Sequence, residues 1–209
     1  MSVVVGIKKD GVIYLGADSQ TTRGGTRTSL SNPNNFKIWK VKGVEHCLIG
    51  HVGALRDACA VRIMDNLIRE IDLIHDCIDF DYVVGRIMPM IIEQIKNFGY
   101  IDDHIFQCMA STYLFAYKDK LFVISGDGSV IEIDDCVAIG SGESEAIGSL
   151  VTTCDETNAQ VRILKAIKAS ATHDLYVDYP IVLTDTASTG FTVISEKNIL
   201  EMLKWFISI

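Results

Sequence analysis

The chain has 209 residues, 48% of them hydrophobic and 22% charged, the proportions of a folded domain rather than a disordered one. Its 19 Lys and Arg against 27 Asp and Glu leave a net charge of −8, which offers no overall attraction to nucleic acid or to an acidic membrane surface. No apolar run approaches the ~20 residues that cross a bilayer. The N-terminus lacks the charged-then-apolar layout of a signal peptide, so a cytoplasmic protein is expected.

Strands come first. Val3-Val4-Val5 and Val12-Ile13-Tyr14-Leu15 are β-rich runs joined at Lys9-Asp10-Gly11, and Asp-Gly is a strong hairpin signal. A polar stretch from Thr21 to Thr28 follows. Phe36 to Val41 then alternates with period two, as a half-buried strand does, and Lys42-Gly43 turns it into a strand at His46–Ile49.

Two helical patterns come next. Met64, Leu67, Ile68, Ile71 and Ile74 keep the spacing of one buried helix face, and Ile87, Ile91, Ile95 and Phe98 repeat it. Pro89 belongs near the first turns of that second helix or at a kink. Strands return at Tyr113–Tyr117, Leu121–Ser125, Val130–Ile133 and Val137–Ile139. A second helical pair spans Glu143–Thr152 and Asn158–Ser170, before strands at Ile181–Leu183 and Phe191–Ile194. Ser195 is placed to cap a last helix through Trp205. Two sheets that each need cover, plus two helix pairs and no linker, predict one domain over 1–209, built as a layered α-β-β-α sandwich.

The cysteines, Cys47, Cys59, Cys77, Cys108, Cys136 and Cys154, include no CxxC pair, and most sit in apolar stretches, so reduced, buried thiols are expected. His46, His51, His75, His104 and His173 show neither HxH nor HExxH spacing. Asp102-Asp103-His104 and His173-Asp174 read as solvated or hydrogen-bonded pairs rather than metal ligands. No GxxxxGK[ST] run is present, so no P-loop nucleotide site, metal or cofactor is expected.

Two kinds of feature could carry chemistry. Ser2 directly follows Met1 and opens a strand. Initiator methionine before a small residue is commonly removed, which would leave Ser2 with an α-amine of pKa about 7.7–8.0, near enough to neutral to serve its own hydroxyl as base. With Met1 attached, that nitrogen is an amide and cannot. The second feature is a set of small-residue turns at strand ends: Gly16-Ala17-Asp18-Ser19, Ile49-Gly50-His51-Val52-Gly53-Ala54, and Ile139-Gly140-Ser141-Gly142. They offer a carboxylate, backbone N–H groups suited to an oxyanion, and a hydroxyl.

In this order, over most of the chain, these features resemble the proteasome β-subunit family, and Ile124–Gly142 in particular is similar to the peptidase subunit of the bacterial two-ring ATP-dependent protease. The resemblance implies the α+β, four-layer αββα sandwich of N-terminal-nucleophile hydrolases. It also implies hydrolysis of peptide amides through Ser2 after loss of Met1. Asp18 matches the family's buried carboxylate, Gly50 its oxyanion donor, Ser141 its accessory hydroxyl and Asp174 a further carboxylate. The family's downstream serine falls at Val177, which has no hydroxyl. Counted without gaps and anchored on Phe36, the family's lysine falls on Asn34. In an extended strand Lys37 would point to the opposite face and Lys40 would lie about 20 Å further on, so neither stands in for it. Arg23 and Arg27 lie in the loop before it. On that count, hydrolysis is expected to be weak or absent. Two alternatives stand beside the peptidase: a catalytically silent ring subunit and a small-substrate amidase. Ring self-assembly, peptide or unfolded-protein substrates and an ATP-dependent unfoldase are the partners the resemblance implies, with no nucleic acid and no membrane.

Overall fold

The computed structural model of the chain describes residues 2–98 and 109–199. Its first sheet contains β1 (Val3–Lys9), β2 (Val12–Ala17), β10 (Cys136–Gly140), β11 (Ile181–Asp185) and β12 (Thr192–Ile194), in the order β10-β1-β2-β11-β12. The second contains β5 (Ile38–Lys40), β6 (Cys47–Gly53), β7 (Ser111–Tyr117), β8 (Lys120–Ile124) and β9 (Val130–Glu132), paired in sequence order. All these pairings are antiparallel.

Strand alternation distributes the apolar residues among three packed layers. Val3, Val5 and Ile7 of β1 face Ile163 and Ile167 of the helix pair α5 (Glu143–Thr152) and α6 (Ala159–His173). Val4, with Ile13 and Leu15 of β2, faces the other way and meets Ile38, Leu48, Leu114 and Leu121 of the second sheet. The outer face of that sheet, including Ile49, Tyr113, Phe115 and Phe122, packs on Val61, Ile87, Ile91 and Ile95. Each fully buried Leu, Ile or Phe contributes about 1.5–3 kcal/mol, so the sandwich rests on all three interfaces. This is the expected αββα architecture.

The helices over the second sheet depart from expectation. The single helix read from Met64 to Ile74 is instead α1 (Leu55–Arg62) and the short α2 (Glu70–Ile74). Asn66 adopts a φ of 59°, which no α-helix accommodates, and the chain folds Met64, Leu67 and Ile68 into the core through an irregular segment. Ile71 and Ile74 lie outside the core, 51% and 70% exposed. The second pattern forms α3 (Phe80–Tyr82), a π-helical turn at Val83–Ile87, and α4 (Met88–Asn97). Pro89 sits in the first turn of α4, directly after the π-helical turn that breaks the regular hydrogen-bond ladder there.

The polar stretch at Thr21–Thr28 forms a hairpin of its own, β3 (Gln20–Arg23) with β4 (Thr26–Ser29). It is almost wholly exposed and therefore left no apolar alternation to read. The described cysteines are free, as expected, but only Cys47 among them is buried, and Cys59, Cys77 and Cys154 are exposed on helices and loops. Cys108, His104 and the 200–205 part of the expected last helix lie outside the described residues, though helix does begin directly after Ser195. Among the described residues no helix is long and apolar enough to cross a membrane.

Candidate active site

Ser2 enters β1 buried, 5% exposed, at the edge where β1 pairs with β10. Its backbone N–H donates to Ser141 Oγ at 3.0 Å, and its carbonyl accepts from the Gly142 N–H at 3.3 Å. Gly140 makes this approach possible: a Cβ there would lie 2.1 Å from the Ser2 carbonyl oxygen. Ser170, fully buried on α6, donates to the Gly142 carbonyl at 2.7 Å and pins the turn that carries Ser141.

Asp18 follows β2 and is fully buried. The Val3 N–H donates to its Oδ1 and the Gln20 N–H to its Oδ2, each at 2.9 Å. The Asp178 N–H adds a longer bond to Oδ2 at 3.5 Å, and the side-chain partner corrects the sequence reading. Lys37 Nζ reaches both Asp18 oxygens, at 2.7 and 2.8 Å, with the lysine itself only 7% exposed. Asn34, where a gapless count put the family's lysine, is exposed in a 3-10 turn at Pro33–Asn35 capped by the Asn32 side chain. That turn is not extended, so strand parity between residues 34 and 37 does not apply. Arg62 of α1 donates to the Phe36 and Pro33 carbonyls and fixes the turn, after which Lys37 enters the site from the edge of β5. Burial pushes the Lys37 ammonium below the ordinary lysine range, while the Asp18 and Asp174 carboxylates work to keep its proton.

The oxyanion assignment also shifts. The His51 N–H donates to the Lys37 carbonyl at 2.8 Å. N–H groups alternate along a strand, so that of Gly50 points the other way, into the pairing with Leu114 of β7. Gly50 is buried between strands, and a Cβ there would strike Val4. Gly53 shares His51's direction, and it lies beyond the end of β5, where no strand covers it. It is exposed, has a φ of 122°, and would put a Cβ 2.3 Å from the Ala110 carbonyl oxygen. Only glycine fits there. Gly53, not Gly50, presents its amide to the cleft.

Ser2, Lys37, His51 and Gly53 line one cavity of 440 Å³, roofed by Thr21, Thr22 and Arg23 of the β3–β4 hairpin. Asp174 stands behind it. Its Oδ1 accepts from the Tyr176 N–H at 2.8 Å, and its Oδ2 is buried without a partner among the described residues. Val177 is buried in the core under α6, so the hydroxyl missing there is replaced by packing. Of the residues read from the sequence, the structure thus gathers Ser2, Asp18 and Ser141 directly and Asp174 electrostatically, and leaves Asn34 and Gly50 outside. The sequence reading sets Lys37 aside on strand parity, offers Gly53 only as part of the 49–54 segment, and misses Ser170. Gly53 alone carried a legible signal, as the last glycine before α1. No cluster of His, Cys, Asp and Glu suited to a metal occurs among the described residues.

The sequence model of the family described as "Proteasome subunit" matches residues 2–183. The ATP-dependent protease subunit HslV of Caldicellulosiruptor saccharolyticus is 24% identical over 191 residues, spanning 88% of this chain and 97% of that protein. HslV of Chlorobium luteolum is 23% identical over 187 residues, 88% of this chain and 93% of that protein. Among solved structures, Thiobacillus denitrificans BPH in complex with epoxomicin aligns with a TM-score of 0.66 at 20% identity, over 88% of this chain and 97% of that one. The Anbu (Gly-1) mutant from Hyphomicrobium sp. aligns at 0.68 and 14% identity, over 100% and 94%. At such identities the structures establish the shared fold.

Proposed function

The chain belongs to the proteasome subunit family, and from that premise we propose that it is an N-terminal-nucleophile peptidase acting through Ser2 once Met1 is removed. The observation that carries the proposal is the buried Lys37–Asp18 ion pair opening on the same cleft as Ser2. The expectation of weak hydrolysis rested on Asn34 and on a retained Met1; with Lys37 lining the cleft, we infer instead that protein lacking Met1 is active.

Removal of Met1 turns the Ser2 nitrogen into an α-amine, already oriented by Ser141 Oγ. The amine takes the proton of Ser2 Oγ, directly or through a water, as the oxygen attacks the substrate carbonyl carbon. The Lys37 ammonium disfavours a second positive charge on the amine, keeping it a base, and stabilises the forming alkoxide. Asp18 holds that ammonium in place. The Gly53 N–H receives the oxyanion. The α-ammonium then gives its proton to the leaving amine as the C–N bond breaks, and water releases the acyl group by the reverse sequence.

The HslV relatives are named as subunits of an ATP-dependent protease, and by that analogy this chain assembles into rings in the cytoplasm and receives unfolded substrate from a partner ATPase. The test is the intact mass of purified protein together with hydrolysis of short peptide reporters. Protein that has lost Met1 should cleave them, and Ser2→Ala should not. Equal cleavage by Ser2→Ala, or by protein retaining Met1, overturns the assignment.

A further inference from the structure

Below the cleft floor lies a polar cluster that the proposed mechanism does not use. His51 is 3% exposed, Asp57 1%, Ser111 4% and Tyr113 0%. Three groups meet on the Ser111 hydroxyl. His51 Nε2 lies 3.0 Å away, the Ala54 N–H donates to Oγ at 3.2 Å, and Oγ donates its own proton to Asp57 Oδ2 at 2.7 Å. These partners come from the end of β6, the residue before α1 and the first turn of α1, while Ser111 opens β7. Gly53 lies between the first two, its backbone against Ser111: a Cβ there would come within 2.6 Å of Ser111 Cα.

We infer that Ser111 is a positioning residue, a three-way lock that fixes the His51 tautomer and holds the Gly53–Ala54 turn so that the Gly53 amide points into the cleft. A serine hydroxyl has one proton. With that proton on Asp57, Ser111 can only accept from His51, so Nε2 carries the imidazole hydrogen. The ring is packed at 5.2 Å from Tyr113 and 6.5 Å from Trp39, which leaves it no room to rotate freely. Burial, aided by the charges of Lys37 and Arg62, pushes its pKa down to about 3, in keeping with a neutral ring whose role is structural. Without the hydroxyl, His51 Nε2–H and Asp57 Oδ2 lose a partner together, the Ala54 N–H keeps only the Ala110 carbonyl at 3.3 Å, and the turn loses its side-chain anchor to β7.

Two measurements test the lock, and only the second rests on the peptidase reading. In the first, magic-angle-spinning NMR of ¹⁵N-histidine-labelled protein, with the His51 signals assigned through His51→Gln, should show a neutral Nε2–H ring at pH 5. An Nδ1–H tautomer or an imidazolium overturns the proposal whether or not the protein cleaves peptides. In the second, Ser111→Ala should lower kcat about ten- to a hundredfold, the scale of a sub-ångström displacement of a catalytic group. KM for a short reporter should stay within about twofold, and Ser111→Thr, which restores a hydroxyl, should recover most of kcat. A Ser111→Ala enzyme with kcat within twofold of wild type overturns the proposal. If wild-type protein lacking Met1 cleaves no peptide, the peptidase reading falls and the NMR result alone decides the lock.

Discussion

Substituting Lys37 by Met separates what the buried ion pair does for folding from what it does for chemistry. Among the described residues the ammonium is the only charge paired directly with Asp18, whose carboxylate is fully buried and otherwise receives the Val3 and Gln20 N–H groups and, at 3.5 Å, that of Asp178. Removing one partner of such a pair leaves an uncompensated charge and costs about 3–5 kcal/mol, a large part of the 5–15 kcal/mol typical of a domain. Adding Asp18→Asn removes the charge but turns an amide N–H toward the Val3 or Gln20 N–H, so the double variant should recover on the order of 1–2 kcal/mol and not all of it. Activity should behave differently. Both variants lose the charge beside Ser2 and should fall about 10²–10³-fold in peptide hydrolysis. The assay is urea unfolding at fixed protein concentration, paired with reporter hydrolysis by protein lacking Met1. A Lys37→Met variant within 1 kcal/mol of wild type would refute the buried pairing. A double variant that regains activity along with stability would refute the catalytic role.

Asn34→Lys, the change a gapless count would recommend, should leave hydrolysis within about twofold and stability within ~0.5 kcal/mol, because the position is an exposed turn; a large gain measured with the same reporters would restore Asn34 to the site. Ser141→Ala removes the acceptor of the Ser2 N–H and should lower kcat roughly tenfold, with little change in melting temperature, since the side chain is exposed. His51, neutral in the fold with a pKa of about 3 against ~6.5 unfolded, makes the unfolded state the better proton binder between those values. Stability should therefore fall as pH drops below 6.5, by up to about 1.4 kcal/mol per unit from this group. His51→Gln should flatten that part of the slope in urea titrations at pH 6.5, 5.5 and 4.5, and an unchanged slope would show that the ring is not buried neutral.

The sandwich was legible because alternation and period survive in Val3–Ile7, Phe36–Val41 and the α6 sequence, where one face is buried and the other is not. Ser2, Asp18 and Ser141 could be placed because each sits at the end of a regular strand, where counting works. Lys37 could not. Between β2 and β5 the chain makes an exposed hairpin and a 3-10 turn, neither of which leaves an apolar period, so residue number no longer tracks position along a strand. Gly50 and Gly53 lie three positions apart on one strand, with two residues between them, and parity decides which amide is available. Parity depends on where β5 stops, and a short edge strand of three residues does not announce its end in sequence. The helix over 64–74 failed for the complementary reason: apolar spacing reports burial, and Met64, Leu67 and Ile68 are buried without being helical.

The position of the ion pair explains why the site tolerates so much polarity in a dry place. Asp18 leaves the end of β2 in the first sheet, and Lys37 approaches β5 at the edge of the second. Their contact closes the mouth of the apolar layer formed by Ala17, Phe36, Ile38 and Val52. Desolvation on that scale would ordinarily drive both groups neutral. Three backbone donors on the carboxylate, from Val3, Gln20 and Asp178, and a second carboxylate, Asp174, acting on the ammonium oppose it. The same packing that joins the two sheets therefore holds a cation beside Ser2 at fixed distance with little reorganisation left to perform. A cavity remote from the cleft, at the fully buried Leu114 or Ile13, should therefore cost about 2–5 kcal/mol of stability and also lower kcat in the protein that stays folded, because it lets the sheets slide under that charge.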